Sequence, residues 1–204
     1  PIYLNVHGAT LGSTIDQAFG ALSATGGAIR STKSGGGTVH LSFASLEKVS
    51  AGVGSNTLTL GDAADPSKLT ITLAGATVAN VRGGLLRNNS SMAAPIAVHQ
   101  GGTLGGVGRS TAVDVAAGGT FAPGNSIGTY TTDTLTLLAG ATFNVEFNAI
   151  NADAALVQVG PTGMGVNSEL QRYSLRSASN DRTDVTITKT HILGAARSFG
   201  NQFI

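Results

Sequence analysis

The stretch from Val98 to Asn148 constrains the fold of this chain more than any other. Within it a Gly-rich turn opens three times into a β-branched or aromatic segment: Gly101-Gly102-Thr103-Leu104, Gly118-Gly119-Thr120-Phe121 and Gly140-Ala141-Thr142-Phe143. The units start at 101, 118 and 140, so they recur 17 and then 22 residues apart. A short recurrence of turn plus strand marks a solenoid, in which each coil buries its apolar face only against its neighbours. The clearest strand is 142–148. There Phe143, Val145 and Phe147 share one face, while Thr142, Asn144, Glu146 and Asn148 share the other, a period of 2.

Composition agrees with thin, stacked layers. Gly contributes 29 of 204 residues, about twice the usual share, with no collagen period, as many tight turns between short strands require. Aromatic residues make up 5% and Trp is absent, which argues against a large core of bulky rings. Short strands without intervening helices suit a parallel β-helix, a sandwich or a barrel. No Asn-Gly or Asp-Gly, the strongest short hairpin signal, separates alternating runs, and this favours the parallel solenoid. At roughly 20 residues per coil and about 4.8 Å between strands, the repeats would build a rod on the order of 40 Å.

Along the chain, residues 1–12 read as a strand and turn, with Ile2, Leu4 and Val6 alternating. Next comes the one helical signal. Ser13 precedes Asp16 by three, like a capping box, and Ile15, Phe19 and Leu22 lie at i, i+4 and i+7. A short helix ending at Gly26-Gly27 is expected. Strands follow at 38–44, 56–60 and 69–73, and Gly75-Ala76-Thr77-Val78 repeats the turn unit. The polar stretch 80–94, with Arg82, Arg87, Asn88, Asn89 and two serines between them and Met92, reads as a loop. After the repeat block, 155–159 is a strand, 160–165 a linker, and 173–176 and 185–188 are strand-like pieces before an amphipathic tail at 192–204. Two units are expected: a β-helix over 1–159 and a C-terminal cap or junction over 160–204.

A net charge of +1, with 11% charged residues against about 25% in typical domains, leaves no electrostatic footprint for nucleic acid or an anionic membrane. The absence of cysteine excludes a disulfide scaffold and thiolate metal sites. It suits a chain that must stay unfolded while crossing an oxidising space. No run approaches the roughly 20 apolar residues of a membrane-spanning helix, so direct membrane insertion is not expected. Pro1-Ile2-Tyr3 has neither a basic n-region nor an apolar h-region, as expected of a mature or trimmed fragment whose signal peptide is gone.

Three pieces, GGTLGGVG at 101–108, AAGGTFAPGNSIGT at 116–129 and LTLLAGATFNVEFN at 135–148, together resemble the passenger stem of Gram-negative autotransporters of type V secretion. Their order makes the likeness specific: a turn, Ala-Pro-Gly-Asn-Ser, a strand, then Gly-Ala-Thr and another strand. The resemblance implies a right-handed parallel β-helix exported through the outer membrane to the bacterial cell surface or beyond. The partner it implies is the chain's own outer-membrane β-barrel translocator, which these 204 residues do not contain. Adhesion to a host surface or to other copies of itself is the activity implied.

Motifs for chemistry are weak. Gly124-Asn125-Ser126-Ile127-Gly128 spells the nucleophile-elbow string, but the β-prone Thr129-Tyr130-Thr131-Thr132 follows where that chemistry needs a helix. Pro123-Gly124-Asn125 reads instead as a corner between coils. Gly105-Gly106-Val107-Gly108-Arg109-Ser110 lacks the Lys of a phosphate loop and the Asp of a calcium-binding nonapeptide. His7, His40, His99 and His191 are scattered, without ligand spacing. The pairs Asp62/Asp65 and Asp181/Asp184 could serve as acid and base on glycans but stand in turn-like contexts. No catalytic, metal or cofactor site is therefore expected, and the chain reads as structural rather than enzymatic. Its working residues are turn and core: Gly101, Gly102, Gly118, Gly119, Pro123, Gly124, Asn125, Gly140, Phe143, Val145 and Phe147, with Leu104, Val113, Val115, Phe121, Leu135 and Leu137 in the stacked layers. A β-helical enzyme acting on glycans or esters and a self-assembling filament subunit are the alternatives.

Overall fold

The computed structural model describes residues 2–6, 14–31, 38–50, 57–75, 78–126, 128–148, 153–154, 156–159, 164–166 and 173–177. Two mostly parallel sheets hold nearly all of them, and the chain passes from one to the other and back. In the first sheet, Ile2–Val6, Gly27–Ser31, Thr57–Gly61, Gly84–Asn89, Gly102–Gly106, Thr120–Pro123 and Thr142–Asn148 pair in that order, each parallel to the next. Tyr173–Ser177 adds a further parallel strand to Thr142–Asn148, and Asp153–Ala154 pairs antiparallel at its end. Seven steps from Ile2–Val6 to Tyr173–Ser177, at about 4.8 Å each, span roughly 34 Å.

The three Gly-Thr units lie directly on one another. Thr103 sits opposite Thr120 and Leu104 opposite Phe121, and the next step sets Thr120 opposite Thr142 and Phe121 opposite Phe143. Below them, Leu58 is opposite Leu86 and Leu86 opposite Leu104. The result is one unbroken apolar column, Leu58–Leu86–Leu104–Phe121–Phe143. The first four of these side chains are wholly buried, and Phe143 packs against them half-buried. Burying each such side chain contributes about 2–3 kcal/mol. Coil length varies around this fixed register. Leu104 and Phe121 are 17 residues apart, whereas Gly27 and its partner Leu58 are 31 apart. The expected figure of about 20 therefore fits the central coils and underestimates the N-terminal ones.

The second sheet is bent into two facets. Thr38–Lys48 buries Val39, Leu41 and Phe43, then Leu46 and Lys48, so the inward parity slips by one at Ala44-Ser45. In later coils the chain breaks there. Leu69–Leu73 continues the first half, and Ala79–Val81 stacks on the Glu47-Lys48 end. Ser91–Met92 and Ile96–Val98 repeat the division before Arg109–Val115 and Thr129–Leu137 span both facets again. A second column, Val81–Val98–Val115–Leu137, lines the far facet.

Three expectations are overturned, the third in part. The segment expected as an N-terminal helix is the strand Thr14–Ala24, parallel to Thr38–Lys48 with Ile15 opposite Val39, Phe19 opposite Phe43 and Leu22 opposite Leu46. Spacing by four from Ile15 to Phe19 satisfies a period of 2 as well as 3.6. The step of three to Leu22 is the parity slip at the bend, not a helical turn. The polar stretch 80–94 is not a loop but contains Gly84–Asn89 and Ser91–Met92 and buries Asn88, Asn89 and Ser90. The linker reading of 160–165 fails at its end, where Met164–Val166 pairs with Thr129–Leu137. The expected strand 155–159 is present as Leu156–Val159 and that at 173–176 as Tyr173–Ser177, while 185–188 and the tail 192–204 lie outside the described residues.

Candidate functional site

One corner of the coil is built by the repeated glycines. His99–Gly102, Ala116–Gly119 and Leu138–Ala141 each close a four-residue turn with an i+3 N–H donated to the i carbonyl at 2.9 Å. Gly101, Gly118 and Gly140 occupy the third position at φ +78°, +73° and +80°, as a type II turn demands. The turns also bond to one another: Gly101 N–H donates to Gly118 O at 3.0 Å, and Gly118 N–H to Gly140 O at 2.9 Å. At Gly102 a Cβ would lie 2.3 Å from Val81 O, and at Gly119 2.7 Å from Val98 O, so these neighbours are small because coils approach backbone to backbone.

The opposite corner is polar and buried. Asn88 Nδ2 donates to Arg109 O and to Tyr130 Oη, both at 3.0 Å, while its Oδ1 accepts from Ser90 N–H at 3.0 Å and Ser90 Oγ at 2.7 Å. One amide thus satisfies four groups across three coils, which is why a polar residue can sit inside. Burial pushes the Tyr130 phenol up to about 12, against the smaller opposing pull of Ser110 and Asn88. Ser110 Oγ lies close enough to be felt there yet meets no hydrogen-bond geometry. Asn89 Oδ1 accepts from Val107 N–H at 3.1 Å and from Asn125 Nδ2 at 3.0 Å, tying the corner of one coil to that two coils on. Pro123 is buried at the end of Thr120–Pro123, and Gly124 exchanges two backbone hydrogen bonds with Gly106, at 2.8 and 2.9 Å.

Beside this corner lies an open groove of about 280 Å³, lined by Arg30, Thr59, Asp62, Arg87, Asn89 and Asn125 among others. Arg87 stands opposite Thr59 in the first sheet, and Arg30 belongs to the strand on the other side of Thr59. Neither arginine forms an ion pair among the described residues, unlike Arg82 with Glu47 at 3.2 Å and Arg109 with Asp133 at 3.3 Å. Asp62 Oδ1 accepts from Ala64 N–H at 3.0 Å.

No protein-family model and no curated protein matches the chain.

The remaining candidates are held apart. Ser126 follows Thr120–Pro123 and precedes the strand Thr129–Leu137, so the helix of a nucleophile elbow is missing. Its φ of +143° is the only positive value at a non-glycine among the described residues. Asp65 stands just before the short 3-10 turn Pro66–Lys68 without a capping bond from its side chain, and the Ser67 hydroxyl, donating at 2.6 Å, leads the effects that lower its pKa. His40 Nδ1 lies 3.1 Å from Asp16, and His99 Nε2 2.8 Å from Asn80 Oδ1, on outward positions of different coils. Among the described residues no three His, Cys, Asp or Glu converge for a metal. His7, His191, Asp181 and Asp184 lie outside the described residues, as do the side chains of Val145 and Phe147.

Sequence reading missed Asn88, Asn89, Lys48 and Tyr130. Lys48 is wholly buried in the Val81–Val98–Val115 column, its Nζ donating to Val49 O at 2.7 Å and Gly83 O at 2.8 Å, and burial lowers its pKa. The available signal was its position two after Leu46, in step with the buried parity.

Proposed function

We propose that this chain is a structural rod: a right-handed parallel β-helix serving as the surface-exposed stem of a bacterial autotransporter passenger, holding an adhesive or self-associating surface away from the cell. The single observation behind the reading is the apolar column Leu58–Leu86–Leu104–Phe121–Phe143, continuous through five coils. Such a column resists bending and needs no pocket to do its work. Right-handedness follows from the general rule that parallel strands of one sheet are joined by right-handed crossovers in about 98% of cases. The type II glycine corners fall on the same residues, 101–102, 118–119 and 140–141, that carry the autotransporter resemblance. A cysteine-free chain whose strands pair with those of adjacent coils can also fold progressively as it emerges from a pore.

The test is surface proteolysis. The complete gene product, expressed in a Gram-negative host, is expected to release fragments that contain 98–148 when intact cells are treated with protease. Release only after lysis would refute the reading. A second reading, assembly of copies end to end, has its own observation. In Thr14–Ala24 only Leu22 and Ala24 are buried, and Phe19 is 39% exposed beside an edge with no strand partner among the described residues. Sedimentation velocity over a hundredfold range of concentration separates the two: a concentration-independent monomer removes the second.

A further inference from the structure

We propose that the groove between Arg30 and Arg87 binds a sugar acid, that is, a hydroxylated ring bearing one carboxylate, free or as a residue of an acidic glycan. The two guanidiniums stand on strands two steps apart, about 10 Å between backbones, with Thr59 on the strand between them. Both lack an ion-pair partner among the described residues, whereas Arg82 and Arg109 on neighbouring coils have theirs. An unpaired guanidinium is a fork of donors matched to a carboxylate.

Asp62 decides the ligand class. Its carboxylate lines the same groove, with one oxygen held by Ala64 N–H. A phosphate or sulfate dianion would meet that negative charge, while a sugar acid presents hydroxyls that need acceptors and a single carboxylate for the arginines. Asn89 Oδ1 is already engaged by Val107 and Asn125, so among the lining side chains Asp62, the Thr59 hydroxyl and the Asn125 Oδ1, which has no partner among the described residues, are the acceptors left for those hydroxyls. The volume of about 280 Å³ is just below the usual range for drug-sized ligands and suits one ring. Only Ala63 contributes an apolar side chain to the wall, so the groove offers no seat for the side chains of a peptide. The inference does not rest on the stem reading: the groove exists wherever the chain resides, and it would supply the adhesive chemistry if the chain is exported.

The experiment titrates the 204-residue chain, by calorimetry at physiological salt, with sodium glucuronate, its methyl ester, glucose and inorganic phosphate. Glucuronate is expected to bind with a Kd on the order of 1–10 mM, as a shallow single-ring site allows. The ester and glucose should bind at least about tenfold more weakly, because the charge-assisted bonds to arginine are lost. Arg87→Gln and, independently, the more exposed Arg30→Gln should each weaken glucuronate binding by about tenfold with unchanged circular dichroism, while Arg82→Gln leaves it intact. Asp62→Asn should weaken glucuronate and strengthen phosphate. Glucose binding as well as glucuronate, phosphate binding as tightly in the unaltered chain, no glucuronate binding, or an unchanged Kd in both arginine variants would each overturn the proposal.

Discussion

Tyr130 couples the buried polar corner to pH. Burial raises its phenol to about 12, against an ordinary value near 10. Below pH 10 folded and unfolded chains both hold the proton and the stability is fully present. Between pH 10 and 12 only the unfolded chain releases it, so stability should fall by roughly 2–3 kcal/mol across that window. Lys48 acts in the opposite sense. Its lowered pKa adds stability as pH rises, but that gain is complete near its ordinary value of about 10.5. Urea unfolding at pH 9, 10, 11 and 12 checks this, and a Tyr130→Phe chain should lack the upper step. Backbone crowding sets a second prediction. A Cβ on Gly106, at φ +110°, would lie 2.1 Å from Asn88 O, while one on Gly101, at φ +78°, meets nothing within 4 Å. Gly106→Ala should cost at least about 3 kcal/mol and Gly101→Ala only about 1–2 kcal/mol of left-handed strain. Equal losses in urea denaturation would remove the close approach from the explanation.

The strand Thr120–Pro123 shows how neighbouring coils share their stability. Phe121 is wholly buried, edge-on to Tyr130 at 5.3 Å and stacked with Phe143 at 5.8 Å. Phe121→Ala should cost about 3–5 kcal/mol by leaving a cavity, whereas Leu138→Ala, at a side chain 44% exposed, should stay within about 0.5 kcal/mol. Phe143→Asp is expected to unfold the coils on both sides, since it sets an unpaired charge against the column. Circular dichroism and protease resistance that survive it would contradict the stacking. Strands of this kind were legible where alternation was uninterrupted, as at Leu69–Leu73, which matches its expected bounds. Thr14–Ala24 misled because the bend at Ala44-Ser45 and its counterpart shift parity by one, and a period of 2 with one slip imitates 3.6. Gly84–Asn89 misled because its asparagines are polar by composition yet buried by pairing. Asn88→Ala should cost about 3 kcal/mol or more, since four groups lose their partner at once.

Across the molecule, among the described residues, the strands of a coil pair with the coil before or after it. Only the polar corner reaches two coils on, through Asn88–Tyr130 and Asn89–Asn125, so stability is close to a sum of coil and interface terms. Damage in one coil should therefore spread to its neighbours and no further. Hydrogen exchange on a Phe121→Ala chain is expected to show lost protection at Leu104–Gly106 and Thr142–Phe143, with Val39–Phe43 unchanged; uniform loss would mean a single globular core.

The repeated Gly-Thr units foretold stacking, and the missing hairpin signals its parallel sense, because turn residues with a required φ and alternating side chains are local properties written position by position. The bend of the second sheet, the burial of Asn88, Lys48 and Tyr130, and the gathering of Arg30, Thr59, Asp62 and Arg87 around one groove were not legible. They bring together residues up to 57 positions apart, from Arg30 to Arg87. Which coil lies on which depends on coil length: the central 17 and 22 residues were legible in the recurrence of the Gly-Thr units, whereas the 31 residues from Gly27 to Leu58 were not.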